Sequence, residues 1–142
     1  METTDAVALE ATVVLIVEDD DKLATLMGRM LGRAGYDCVL APTGDEALRA
    51  MRDRTPDAAI VDVMIPHPDG IEICRKFRRD GWEGPIIAIS GRNSADDRRR
   101  TLDAGADTFL AKPFRLADVI AALERFTVVS SSAHPPRRTI LP

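Results

Sequence analysis

The sequence has 142 residues, of which 45% are hydrophobic and 30% are charged, so it can form one globular domain with a full core but not two. The net charge of −4 gives no electrostatic reason to expect direct binding of nucleic acid or of an acidic membrane. The N-terminus lacks a signal-peptide pattern and no apolar run approaches the roughly 18 residues of a membrane span, so we expect a cytoplasmic protein.

Five short apolar runs indicate β-strands, and the segments between them carry apolar residues at helical spacing. The predicted strands are residues 13–17, 36–40, 58–61, 86–89 and 106–111. The predicted helices are residues 23–34, 44–51, 70–79, 94–104 and 116–126. Strands that alternate with helices in this way predict an α/β fold, in which helices cover both faces of a parallel sheet.

The fourth predicted helix is poor in apolar residues. Three arginines occupy its middle, which leaves Ala95, Leu102 and Ala104 to attach it to the core. We therefore expect this helix to pack loosely and to move easily.

The two ends of the chain differ in composition from its centre. Residues 1–12 are predicted to be a flexible N-terminal segment and residues 13–128 to be the folded domain. Residues 129–142 are rich in serine, proline and arginine without periodicity, and we expect a flexible tail there, in which Arg137 and Arg138 could approach acidic groups of the domain. The two cysteines, Cys38 and Cys74, lack metal-site spacing and are predicted to be core thiols.

Carboxylates follow two of the predicted strands. Asp62 ends the third strand, and the cluster 18–21 (Glu-Asp-Asp-Asp) follows the first. A single strand-end Asp is commonly a turn former or a helix cap. However, the carboxyl ends of parallel strands meet at one edge of the sheet, so these carboxylates are expected to lie close together. Two carboxylates about 4 Å apart repel by roughly 4 kcal/mol at an effective dielectric constant near 20. A hard divalent cation would offset this repulsion. Asp62, at the end of its strand, is the candidate nucleophile.

The order of polar residues at the strand ends resembles the receiver domain of bacterial two-component response regulators. The acidic pair follows the first strand, Asp62 the third, Ser90 the fourth and Lys112-Pro113 the fifth, within the motifs DVMIPHPDG and GADTFLAKPF. The resemblance covers residues 13–126. It implies a flavodoxin-like (CheY-like), doubly wound, five-stranded parallel sheet with strand order 2-1-3-4-5.

The resemblance also assigns roles to the acidic residues. It implies that Asp62 is the phosphoacceptor, that Asp19 binds Mg²⁺ directly, and that Glu18 acts in the metal shell through water. The backbone carbonyl of Met64 would complete the protein ligands, a set of oxygens that suits Mg²⁺. Asp20 and Asp21 are expected to begin the first helix.

The other residues of the family pattern would bind and sense the phosphoryl group. Lys112 would neutralise phosphoryl oxygens through a cis Lys112-Pro113 turn, and Ser90 would donate a hydrogen bond to one of them. Ser90 and Phe109 would form the switch, with Phe109 turning inward on phosphorylation. Neither Met64 nor Arg92 is a good hydrogen-bond acceptor for an incoming water molecule, so we expect slow dephosphorylation unless Arg92 simply points into solvent.

The implied function is a phosphorylation-controlled switch of a two-component system or phosphorelay. The phosphoryl group would come from phosphohistidine of a sensor histidine kinase or phosphotransfer protein, because the sequence has no GxxxxGK[ST] loop for ATP. A downstream protein would bind the face formed by the fourth helix, fifth strand and fifth helix. Beyond its own phosphoryl transfer and autodephosphorylation, we expect no enzymatic activity.

Two other functions are compatible with parts of the pattern. A degenerate receiver would act as a constitutive binding module, but such domains usually lack a site residue. A magnesium-dependent phosphatase with an Asp nucleophile would carry DxDxT, whereas this sequence has Asp62-Val63-Met64. The short segment after the last helix suggests a stand-alone receiver. The residues Asp107-Thr108 depart from the pattern of members that bind DNA as dimers, which argues against that homodimer.

Overall fold

The structure, a computed structural model, describes residues 12–133, and the surroundings of side chains for residues 12–126. Strands and helices alternate throughout this range. The elements are β1 Val13–Val17, α1 Asp21–Arg33, β2 Asp37–Ala41, α2 Gly44–Asp53, β3 Ala58–Asp62, α3 Gly70–Arg79, β4 Ile86–Ser90, α4 Ala95–Asp103, β5 Thr108–Ala111 and α5 Leu116–Ala133. Within the described residues, no helix combines the length and the hydrophobicity that crossing a bilayer requires.

The five strands form one sheet of order β2-β1-β3-β4-β5, and all neighbouring pairs are parallel. The predicted α/β fold and the strand order 2-1-3-4-5 are therefore confirmed. The central strands β3 and β4 are buried along their whole length, which explains why their sequences read as continuous apolar runs instead of alternating patterns. Parallel pairing also brings the carboxyl ends of all strands to one edge.

Successive residues of each strand supply two separate cores, one on each face of the sheet. Leu15 and Val17 of β1 face the helices α2 and α3, whereas Val14 and Ile16 face α1 and α5. The same alternation continues through β3 and β4. Helices on both faces, as predicted, exclude water from the sheet.

The ends of the helices are set by polar side chains. Asp20 caps α1 by accepting hydrogen bonds from the backbone N–H groups of Lys22 and Leu23, so its expected place at the start of this helix is confirmed. Asp21 is the first residue of the helix. Asp69 and Glu72 form a capping box at the start of α3, which anchors the loop that follows Asp62.

Helix α4 is attached to the core by different residues from those expected. Ala95 is exposed and Leu102 is 41% exposed, and of the three predicted anchors only Ala104 is buried. The second anchor is Thr101, whose hydroxyl donates to the backbone carbonyl of Asp97 at 2.8 Å. This bond satisfies the polar atom, so Thr101 can be buried in place of an apolar residue. The expected thin attachment of the helix is nevertheless what the structure has.

The last helix is longer than predicted. It runs to Ala133, beyond the predicted end at residue 126. The domain boundary at 128 and the tail from 129 stay predictions. Ser and Ala extend an existing helix at little cost because only nucleation is expensive, and Pro135 lies just beyond its end. Residues 1–11 and 134–142, including Arg137 and Arg138, lie outside the described residues.

The prediction that both cysteines are core residues is correct for one of them. Cys74, on the inner face of α3, is fully buried, but Cys38 is only partly buried, because β2 is an edge strand of the sheet.

Candidate functional site

Three carboxylates meet at the carboxyl edge of the sheet. Glu18 follows β1, Asp62 ends β3, and Asp19 lies beside Glu18; one oxygen of each lies within 4.8 Å of the others. Glu18 and Asp62 are 1% and 4% exposed, whereas Asp19 is exposed. The sequence-based expectation that these groups come together is confirmed.

Lys112 is the cation at this cluster. Its ammonium group donates to Asp62 at 2.9 Å and to Glu18 at 3.1 Å. Its backbone N–H donates to the carbonyl of Ser90 at 2.7 Å, which continues the pairing of β5 with β4 up to the site. The Lys112-Pro113 peptide bond is cis, as predicted, and the His67-Pro68 bond in the loop after β3 is also cis.

The Asp62 carboxylate is held from two sides. One oxygen accepts the bond from Lys112, and the other accepts a bond from the backbone N–H of Met64 at 2.9 Å. Helix α3 closes on this strand end through Gly70, because a Cβ there would lie 2.5 Å from the carbonyl oxygen of Asp62. A glycine is thus required for the backbone to approach this closely.

Burial disfavours the charged forms of both Glu18 and Lys112, but the hydrogen bonds of the two groups lead to different net results. Burial, followed by a hydrogen bond with Asp62, raises the pKa of Glu18 to about 7. Burial alone would lower the pKa of Lys112, but its hydrogen bonds to Asp62 and Glu18 outweigh this and raise that pKa. Three carboxyl groups thus lie around a single ammonium group in this cluster.

The cluster has the donor atoms that a magnesium site requires. Carboxylate oxygens are the ligands that Mg²⁺ prefers, and a divalent cation near Glu18, Asp19 and Asp62 would offset their mutual repulsion. The residues present therefore fit the ion. The role of the Met64 carbonyl as a further ligand stays a prediction.

A cleft of about 220 Å³ lies between the loop after β3 and helix α4, next to Asp62. Ser90, Met64 and Arg92 line it, so the predicted switch hydroxyl and the two predicted lifetime residues share one space. Ser90 is buried, and its hydroxyl oxygen accepts a bond from the backbone N–H of Arg92 at 3.0 Å. The Met64 residue is 49% exposed at the rim.

The family model of the response regulator receiver domain matches residues 14–124. This chain belongs to that family. The response regulator MprA of Mycobacterium sp. (strain KMS) is 40% identical over 131 residues, which cover 90% of this chain and 57% of that protein. MprA of Mycobacterium bovis (strain BCG / Pasteur 1173P2) is 41% identical over 110 residues, which cover 78% of this chain and 48% of that protein. The chain thus spans about half the length of these relatives.

Solved receiver domains have the same fold. The BeF3-activated N-terminal receiver domain of Klebsiella pneumoniae RstA is 31% identical, with a TM-score of 0.77 over 82% of this chain and 98% of that one. The CheY-like receiver domain protein of Methanospirillum hungatei JF-1 is 24% identical, with a TM-score of 0.82 over 87% of this chain and 98% of that one, and this similarity concerns the fold. The receiver fold inferred from the strand-end residues is confirmed.

The aromatic switch candidate of this receiver domain is already turned inward. Phe109 is 5% exposed and belongs to the core on the same face of the sheet as α2 and α3, with the guanidinium of Arg98 of α4 4.9 Å from its ring centre. The predicted inward turn of Phe109 on phosphorylation therefore cannot start from this conformation, because the ring is already buried. Any rearrangement would first involve Arg98 of α4, which covers the ring.

Sequence reasoning missed several polar contacts around the receiver site. The pairing of Asp97 with Arg92 and the stacking of Arg98 on Phe109 link residues on different elements, and no local pattern signals them. The interaction of Arg78 with the carbonyl of Gly105 and with Asp107 is similar. The Asp107 side chain also accepts a hydrogen bond from the backbone N–H of Ile86 at the start of β4. These contacts explain why β5 begins at Thr108 and not at residue 106 as predicted.

Proposed function

We propose that Asp62 is the phosphoacceptor of this receiver domain and that its phosphorylation, assisted by Mg²⁺, controls the binding of a protein partner. The observation that supports this most directly is the position of Asp62. Its carboxylate lies 2.9 Å from the ammonium group of Lys112 and within the cluster of acidic groups, and it accepts a hydrogen bond from the backbone N–H of Met64, which lines the cleft. This is the arrangement that transfer of a phosphoryl group to a carboxylate requires.

The chemistry is an in-line displacement. An oxygen of Asp62 forms a bond to phosphorus while the bond from phosphorus to the donor breaks, which gives an acyl phosphate on Asp62. The hydrogen bonds from Lys112 and from the Met64 N–H hold the carboxylate in one orientation. Lys112 then neutralises phosphoryl oxygens, and the hydroxyl of Ser90 donates to one of them. Mg²⁺ held by Glu18, Asp19 and Asp62 would neutralise further negative charge when bound.

Water later reverses the modification. Its oxygen bonds to phosphorus, the bond between phosphorus and Asp62 breaks, and inorganic phosphate leaves the regenerated carboxylate. Neither Met64 nor Arg92 has a good hydrogen-bond acceptor in its side chain to orient this water, which supports slow autodephosphorylation. Met64 also has no ionisable proton, so it cannot serve as the general acid that the phosphatase alternative needs two residues after the nucleophile.

The partners proposed for this role are proteins. A phosphohistidine of a sensor histidine kinase or a phosphotransfer protein would donate the phosphoryl group in the cytoplasm. The downstream partner would bind the face of α4, β5 and α5. The thin attachment of α4, through Thr101 and Ala104, supports this choice because such an element can shift when Ser90 engages a phosphoryl oxygen.

The experiment is phosphorylation of the purified chain by a small phosphodonor such as acetyl phosphate with Mg²⁺, followed by mass spectrometry. Wild type should gain one phosphoryl group at Asp62, and Asp62→Asn should gain none. Asp53→Asn, which removes the same charge from the exposed end of α2, is the matched control and should react like wild type. Phosphorylation of Asp62→Asn at the wild-type level would refute the assignment.

A further inference from the structure

A series of polar contacts joins Ser90 to the first turn of α4. The hydroxyl oxygen of Ser90 accepts from the backbone N–H of Arg92, and the guanidinium of Arg92 lies 3.6 Å from one carboxylate oxygen of Asp97. The other oxygen of Asp97 accepts from the hydroxyl of Ser94 at 2.8 Å. Asp97 therefore binds both the loop that carries Arg92 and the N-cap of α4.

The charge of Asp97 makes this contact an ion pair. The hydrogen bond from the Ser94 hydroxyl, with Arg92 and Arg100 nearby, holds the pKa of Asp97 below its ordinary value. Arg100 lies 4.0 Å from the carboxylate oxygen that pairs with Arg92. Asp97 is thus ionised at neutral pH with two cations beside it, and Arg92, although 66% exposed, has an ion-pair partner at the cleft.

The same residues line the cleft at the phosphoacceptor. Arg92, Asp97 and Arg100 form its α4 side, and Met64 and Ser90 form the side next to Asp62. A phosphoryl group would add about two negative charges within reach of this cleft. Two anions, Asp97 and the phosphoryl group, would then compete for the Arg92 guanidinium.

We propose that Asp97 is a positioning residue, which holds Arg92 on the α4 side of the cleft and thereby limits its pairing with the phosphoryl group on Asp62. The inference rests on the proposed function. Without the charge of Asp97, the Arg92 guanidinium would pair with phosphoryl oxygens and stand in the path of the water that attacks phosphorus. Asp97 therefore shortens the lifetime of the acyl phosphate.

The test measures loss of phosphate from the phosphorylated chain after the donor is removed. Asp97→Asn keeps an oxygen that can accept from Ser94 but loses the charge, and we expect the phosphate lifetime to increase about threefold, the factor typical of an exposed ion pair. Asp97→Glu keeps the charge and should retain the wild-type lifetime. Asp96→Asn is the matched control, since Asp96 occupies the same helical turn but pairs with Arg99 outside the cleft.

The decisive comparison is made in an Arg92→Gln background. If Asp97 acts through Arg92, Asp97→Asn should have no effect on the lifetime in that background. A similar change with and without Arg92 would show that the variant merely alters the cap of α4, and an unchanged lifetime in the single variant would equally overturn the inference. Either result, with wild type phosphorylated normally, leaves the proposed function intact. Failure of wild type to take up phosphate would overturn both.

Discussion

Replacing Lys112 by methionine should destabilise the metal-free protein, because it leaves two buried carboxylates without their cation. The ammonium group of Lys112 lies 2.9 Å from Asp62 and 3.1 Å from Glu18, and both carboxylates are nearly inaccessible to solvent. Methionine preserves much of the length of the side chain. The variant therefore tests the charge and not the packing of the stem.

The magnitude follows from the burial of the partners. Removing one member of a buried ion pair costs roughly 3–5 kcal/mol, and the Lys112 side chain is 27% exposed, so water screens part of this effect. We expect a loss of about 2–3 kcal/mol in the free energy of unfolding at pH 8.

The loss should depend on pH. The pKa of Glu18 is raised from 4.5 to about 7 in the folded protein, so this group contributes most to stability when protonated, and the contribution is lost as pH rises through about 7. Without the hydrogen bond from Lys112, which lowers that pKa, the Glu18 carboxyl stays protonated to still higher pH. The difference between wild type and Lys112→Met should therefore be smaller at pH 5.5 than at pH 8.

Urea denaturation in the presence of a chelator measures these free energies of unfolding. With Mg²⁺ in place of the chelator, the difference between wild type and Lys112→Met at pH 8 should become smaller. Lys76→Met, at an exposed position of α3, is the control and should change stability by less than about 0.5 kcal/mol. Equal losses for Lys112→Met at the two pH values, or a loss below about 1 kcal/mol at pH 8, would refute the reasoning.

Three further outcomes are expected. Gly70→Ala should lower the free energy of unfolding by about 1–3 kcal/mol in urea because its Cβ meets backbone, whereas Gly32→Ala, with nothing within 4 Å, should raise it by up to about 1 kcal/mol; equal effects would contradict the close approach. Met64→Asn combined with Arg92→Glu should lose phosphate faster than wild type, and an equal or slower rate would show that these side chains do not control water access. Burial raises the pKa of Cys74 to about 12, so its alkylation by iodoacetamide at pH 8 should require unfolding, and rapid labelling of the native chain would be inconsistent with its packing.

Residues whose environment follows from local pattern were predicted correctly. A buried parallel strand needs a continuous apolar run, and its last residue must lie at the carboxyl edge of the sheet, so Asp62 and Ser90 were found without coordinates. The acidic pair and Lys112 completed a pattern specific enough to indicate the receiver fold. The local spacing of apolar residues likewise placed five helices, since each buries one face.

Contacts between distant elements could be decided only by the tertiary structure. Lys112 donates to Glu18 and Asp62, which precede it by 94 and 50 residues, and Arg78 of α3 pairs with Asp107 before β5. The inward position of Phe109 and the arginine that covers its ring likewise became visible only in the structure. The sequence by itself determined the fold and the edge at which the chemistry occurs, because hydrophobic periodicity and strand ends are local properties. The burial, pairing and charge state of each side chain required the folded structure, because they depend on atoms far apart in the chain.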